Sequence, residues 1–134
     1  KAARMIKLPV SLFLFYSMNR DLKQRTKEFA VRVIKLYTGL PRSTVAQILG
    51  KQILRSGTSV GVQYRESQYA KSDADLVSKL EGSLQELEET EYWLELIEEM
   101  SFFSSAQLEP LRIETGELKA IFITIVKKVK ARKR

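Results

Sequence analysis

The chain has 134 residues, 44% of them hydrophobic and 29% charged, with 23 Lys+Arg against 16 Asp+Glu for a formal net charge of +7; this is one globular domain's worth of chain. It contains no Cys and no His, which excludes disulfides, thiol nucleophiles, imidazole bases, the ordinary zinc site and the His-containing di-iron motif of ferritin-like bundles. An enzyme here would work with carboxylates, Lys, Tyr or Ser alone, so the expectation is a non-enzymatic protein without metal or cofactor.

Lys1, Arg4 and Lys7 precede a short apolar run from Leu8 to Tyr16. The run has the outline of a signal peptide, but no small-residue cleavage site follows, and it is far below the ~20 residues of a spanning helix. Residues 1–18 are read as an extension outside the fold, with Met18 as a candidate initiator; an arm packing on a neighbouring subunit is the alternative. Pro9 and the absence of caps argue against a long helix there. The bundle domain is assigned to residues 19–134, with no membrane role and a cytoplasmic location expected.

From Asn19 the pattern is helical. Leu22, Phe29, Val33, Leu36 and Leu40 recur on one face, with Asn19 or Asp21 as cap and Gly39–Leu40–Pro41 as stop. Ser43 or Thr44 caps a second helix whose apolar contacts are Val45, Leu49, Ile53, Val60 and Tyr64. Asp73 opens a third, with Leu76, Leu80, Leu84, Leu87 and Leu94 in one stripe joined by Trp93, Ile97 and Met100. Ser104 or Ser105 begins a fourth, with Pro110 in its first turns and a heptad-like seam of Leu111, Leu118, Phe122, Ile125 and Val129. The fold class is all-α: an antiparallel up-down-up-down four-helix bundle with short connections. Ile121, Ile123 and Val126 widen the apolar face of the fourth helix, as Tyr92, Trp93, Leu96 and Ile97 widen that of the third. A helix apolar on more than one face in so small a bundle points to homo-oligomerisation; exposed apolar residues on a monomer are the simpler alternative.

The charge is segregated. Residues 19–72 carry a net +8, residues 73–117 a net −11 and residues 118–134 a net +7. Acidic and basic helices can pair with each other and fix register, or the basic surfaces can face a polyanion. The nucleic-acid candidates are Arg25, Arg32 and Lys35 on the first helix, Lys51, Arg55 and Arg65 on the second, and Lys127, Lys128, Lys130 and Arg132 in a tail that continues with Lys133 and Arg134. Tyr37, Tyr64, Tyr69, Tyr92 and Trp93 sit at or beside core-like positions, so binding would be led by phosphates rather than by base stacking. Glu91, Glu95 and Glu98 share a face of the third helix as Mg²⁺-binding carboxylates would, though a solvated or salt-bridged face explains them as well. No glycine-rich phosphate loop is present.

The segment RSGTSVGVQYRES, Arg55–Ser67, places Gly57 and Gly61 inside a predicted helix. Each costs about 1 kcal/mol relative to Ala there, which implies close approach of another helix, or else a kink or break. This segment, together with FAVRVIKLYTGLP (Phe29–Pro41), KSDADLVSKLEGSLQELEETEYWLEL (Lys71–Leu96) and GELKAIFITIVK (Gly116–Lys127), resembles the four-helix-bundle proteins encoded by intervening sequences within bacterial large-subunit ribosomal RNA genes. That family is similar to the accessory variability protein of diversity-generating retroelements. The resemblance implies a ring-like homopentamer and, in the retroelement branch, a basic surface that binds nucleic acid and a reverse transcriptase. One departure is Gln63, where family members commonly carry Asn. The leading expectation is therefore a homo-oligomeric bundle, likened to a homopentamer, that binds RNA or DNA and is an accessory of a reverse transcriptase. A protein-interaction scaffold is the alternative, and a Mg²⁺-dependent nucleotide hydrolase the third reading.

Overall fold

The computed structural model describes residues 10–132, with side chains from Leu22 onward. Four helices follow one another: α1 (Val10–Thr38), α2 (Thr44–Ser67), α3 (Asp73–Glu99) and α4 (Ser105–Ala131). No strand occurs among the described residues. Residues 1–9, with the basic start of the extension, and Lys133 and Arg134 of the tail lie outside them.

The helix starts follow capping chemistry. The Ser43 hydroxyl accepts from the Ala46 N–H at 3.2 Å and the Ser72 hydroxyl from the Asp75 N–H at 3.0 Å. Asp73 is thus the first residue of α3 and not its cap, adding with Asp75 a favourable charge at the positive end of the helix. Ser104 forms a reciprocal box with Gln107, accepting from its N–H at 3.1 Å while the Gln107 side-chain oxygen accepts from the Ser104 N–H at 2.8 Å. The expected start of the first helix at Asn19 is corrected, since α1 is already helical at Val10. A proline just ahead of Val10 is no barrier, because the first turn of a helix leaves its N–H groups unbonded anyway.

The core lies between the four helices, and its largest side chains include Phe29, Ile53, Tyr64, Leu87, Ile97, Leu118 and Phe122, each at most 1% exposed. The heptad seam read from α4 is buried throughout. Tyr64 of α2 meets Phe122 of α4 edge-to-face, ring centroids 5.9 Å apart, tying diagonal partners together. Four sequence expectations fail. Val45 and Met100 are each 50% exposed, Tyr92 is 54% exposed and Tyr69 is 85% exposed. The buried face of α2 runs instead through Ala46, Gly50, Ile53, Gly57, Val60 and Tyr64, so half of its stripe is too small to register as apolar. Met100 and Tyr69 lie just past the ends of α3 and α2, beyond the last layer of core.

That small-residue face explains the distinctive segment. Helix α2 is continuous through both glycines, so there is neither break nor end. A Cβ at Gly57 would stand 2.7 Å from Val33 Cγ2, and one at Gly61 would stand 3.1 Å from Thr26 Oγ1; both contacts face α1. The small residue just before Gly57 faces the other way. Ser56 Oγ lies 2.8 Å from Thr90 Oγ1 of α3, and Ser83 of α3 donates to the Val60 carbonyl at 2.9 Å. Gly82 of α3 makes room for the Gln63 amide, whose oxygen an added Cβ would strike. Helix α2 is therefore gripped from both sides, by glycine against α1 and by hydroxyl against α3.

Candidate nucleic-acid interface

Each basic side chain singled out in the sequence has a place, and ion pairing divides the set. Four are held by carboxylates of the same chain. Arg25 reaches from α1 to Glu114 at 2.7 Å and Glu117 at 3.0 Å on α4. Arg55 of α2 spans Glu86 and Glu89 of α3. Lys130 meets Glu81 at 3.2 Å, and Arg132 meets Asp73 at 3.0 Å.

With Lys119–Glu91 at 2.8 Å and Arg112–Glu98 at 2.6 Å, the last two form a ladder along the antiparallel α3–α4 seam. The charge segregation thus serves internal register, as one of the two sequence readings held. Exposed pairs of this kind contribute about 0–1 kcal/mol each.

The other six candidates make no ion pair among the described residues. Arg32 and Lys35 border an open groove between α1 and α4, lined also by Leu36, Phe103, Leu108 and Leu111. Lys51 and Arg65 stand on the outer face of α2, and Lys127 and Lys128 on the last turns of α4, all four exposed. Lys23, Lys27 and Arg42 are exposed and unpaired in the same sense; the sequence reading passed over them. Their spacing held the signal, since Lys23 and Lys27 lie one turn apart on the side of α1 away from Leu22, Phe29 and Val33.

Arg25 does not share a free surface with Arg32 and Lys35, despite their helical spacing. The carboxylates at +4 and +3 on α3 do not converge either, because Lys119 holds Glu91 and Arg112 holds Glu98. Among the described residues no group of three or more acidic side chains is placed to hold a metal ion. Nor is any described helix long and apolar enough to cross a membrane.

Residues 18–124 match the 23S rRNA-intervening sequence protein family. The chain belongs to that family. A crystal structure of a protein of unknown function from the S23 ribosomal protein family of Bacteroides thetaiotaomicron is 39% identical. It superposes with a TM-score of 0.77, over 81% of this chain and 97% of its own. No functionally curated protein matches. The resemblance carried by RSGTSVG and the acidic third helix is therefore a family relation. As an intervening-sequence protein, this chain carries its basic tail of Lys127, Lys128, Lys130 and Arg132 beyond the stretch that the family matches, and that stretch begins at Met18.

Proposed function

We propose that this protein binds RNA or DNA without catalysis, through phosphate contacts from the unpaired basic side chains of α1, α2 and the end of α4. One observation carries the reading: the acids of α3 neutralise cations on the flanks of α2 and α4 but leave Arg32, Lys35, Lys51, Arg65, Lys127 and Lys128 without partners among the described residues. A cation already held by carboxylates must break that pair to reach a phosphate, so Arg25, Arg55, Lys130 and Arg132 take the secondary part. Self-assembly multiplies a weak phosphate-led surface. The homopentameric ring implied by the resemblance would combine five such surfaces, and the exposed Val31, Ile34, Val45, Ile48 and Val62 supply apolar area for contacts between copies. The accessory role beside a reverse transcriptase is the furthest extension of this reading.

The test is a fluorescence-anisotropy titration of labelled RNA and DNA on nuclease-treated protein at about 50 and 200 mM salt. Affinity should fall steeply with salt. Neutralising Arg32, Lys35, Lys51 or Arg65 to Gln should each lower the salt slope by about 1, whereas Arg55→Gln should change it little. Absence of binding at low salt, or equal sensitivity at Arg55 and Arg65, overturns the assignment. A protein-interaction scaffold is the second reading, favoured by the same exposed Val and Ile side chains. Copurification of a stoichiometric protein and no nucleic acid would select it, and capture of a retroelement reverse transcriptase would test the accessory role.

A further inference from the structure

On α4, Ile113, Gly116, Ala120 and Ile123 recur at intervals of three, four and three, which helical geometry places on one face. That face points away from the bundle: Ile113 is 51% and Ile123 38% exposed, and Gly116 and Ala120 are exposed with them. Gly116 lacks the explanation that Gly57 and Gly61 have. A Cβ added there meets nothing within 4 Å among the described residues, yet glycine inside an exposed helix costs about 1 kcal/mol relative to Ala. One further turn in each direction brings the stripe to Glu109 and Lys127.

We propose that this face docks against the same face of a second copy, with the two α4 helices antiparallel. A two-fold axis between Gly116 and Ala120 sets Gly116 against Ala120 of the second copy, Ile113 against Ile123, and Glu109 against Lys127, and the reverse of each. All three pairings fall in a single register. The small residues stand at the crossing, where they let the two backbones approach; the isoleucines flank them, and an opposite-charge pair closes each end. A parallel arrangement would oppose Glu109 to Glu109 and Lys127 to Lys127, so charge selects the antiparallel one. Lys127 has no acidic partner among the described residues, while Glu109 already holds Arg112 at 2.5 Å and keeps half of its side chain exposed.

The contact spans about 27 Å of helix and lies at the small end of specific interfaces, so the expected dissociation constant is about 10–100 µM. It is independent of the polyanion reading except at Lys127, which the second copy would occupy. The titrations at Arg32, Lys35, Lys51 and Arg65 test that reading separately.

The experiment is sedimentation velocity of the full chain from about 1 to 300 µM, and the expected result is a doubling in mass of whatever assembly is present at the lowest concentration. Lys127→Glu and Glu109→Lys should each weaken the doubling at least tenfold. The double exchange Glu109→Lys/Lys127→Glu should restore it to within about threefold. Gly116→Leu should abolish it while helical content by circular dichroism is unchanged. No doubling, doubling indifferent to Lys127→Glu or Gly116→Leu, or failure of the double exchange to restore it overturns the proposal.

Discussion

Adding one methyl group at Gly57 tests the packing between α1 and α2. In Gly57→Ala the new Cβ would stand 2.7, 2.9 and 3.0 Å from Cγ2, Cγ1 and Cβ of Val33, about 1 Å inside normal carbon–carbon contact. Val33 is β-branched on a helix and has one strongly preferred rotamer, so it cannot swing aside and the helices must move apart. Overpacking of this kind costs about 1–3 kcal/mol, against which Ala returns up to about 1 kcal/mol of helix propensity. The net expectation is a loss of about 1–2 kcal/mol, read as a Tm about 3–8 °C lower by circular dichroism at 222 nm. Val33→Ala removes the two nearest atoms, so the double variant should be more stable than the sum of the single losses by at least about 1 kcal/mol. Gly116→Ala, at micromolar dilution, should raise stability by about 1 kcal/mol. An unchanged or raised Tm in Gly57→Ala, or strict additivity with Val33→Ala, would refute the close-approach account of this glycine.

Burial pushes the Tyr64 phenol from 10.0 up to about 12. The folded state therefore disfavours the phenolate, and its contribution is intact below pH 10 and lost as the pH rises from 10 to 12, by about 3 kcal/mol in all. Urea midpoints should fall over that window in the parent protein, and Tyr64→Phe should remove this component of the fall. Ser101 sits at φ 58 just after α3, where glycine has no Cβ to clash, so Ser101→Gly should raise the urea midpoint by the equivalent of about 1 kcal/mol. For the hydroxyl pair between α2 and α3, a double-mutant cycle with Ser56→Ala and Thr90→Val should give a coupling of about 1 kcal/mol, and zero coupling would show that the 2.8 Å contact adds nothing to stability.

The number and order of the helices, and the caps of α2 and α4, were legible in the sequence because α3 and α4 carry large apolar side chains at helical spacing and Ser43 and Ser104 stand where their helices begin, whereas the cap of α3 is Ser72, one residue before the Asp73 that marked its start. Helix α2 was only half legible. Its buried face alternates Ile53, Val60 and Tyr64 with Ala46, Gly50 and Gly57, so a search for apolar periodicity selected Val45, which faces outward. Charge presented the opposite difficulty. Arg25, Arg32 and Lys35 look alike along one helix, and only the arrival of Glu114 and Glu117 from a segment some ninety residues away separates the first from the other two. Pairing is a tertiary property, and local spacing does not encode it. Gly57 and Gly116 are the same letter in the sequence, and only the neighbour supplied by α1 to one of them distinguishes their roles.

Close packing in this bundle joins α1 to α2, α2 to α3 and α3 to α4, while the seam between first and last helices is bridged by Arg25 and flanked by an open groove. Interactions are thus concentrated between segments adjacent in the chain, an arrangement of low contact order whose folding falls in the microsecond-to-millisecond range. The α1–α2 hairpin, closed by glycine against valine and threonine, draws its contacts from residues 22–67 alone.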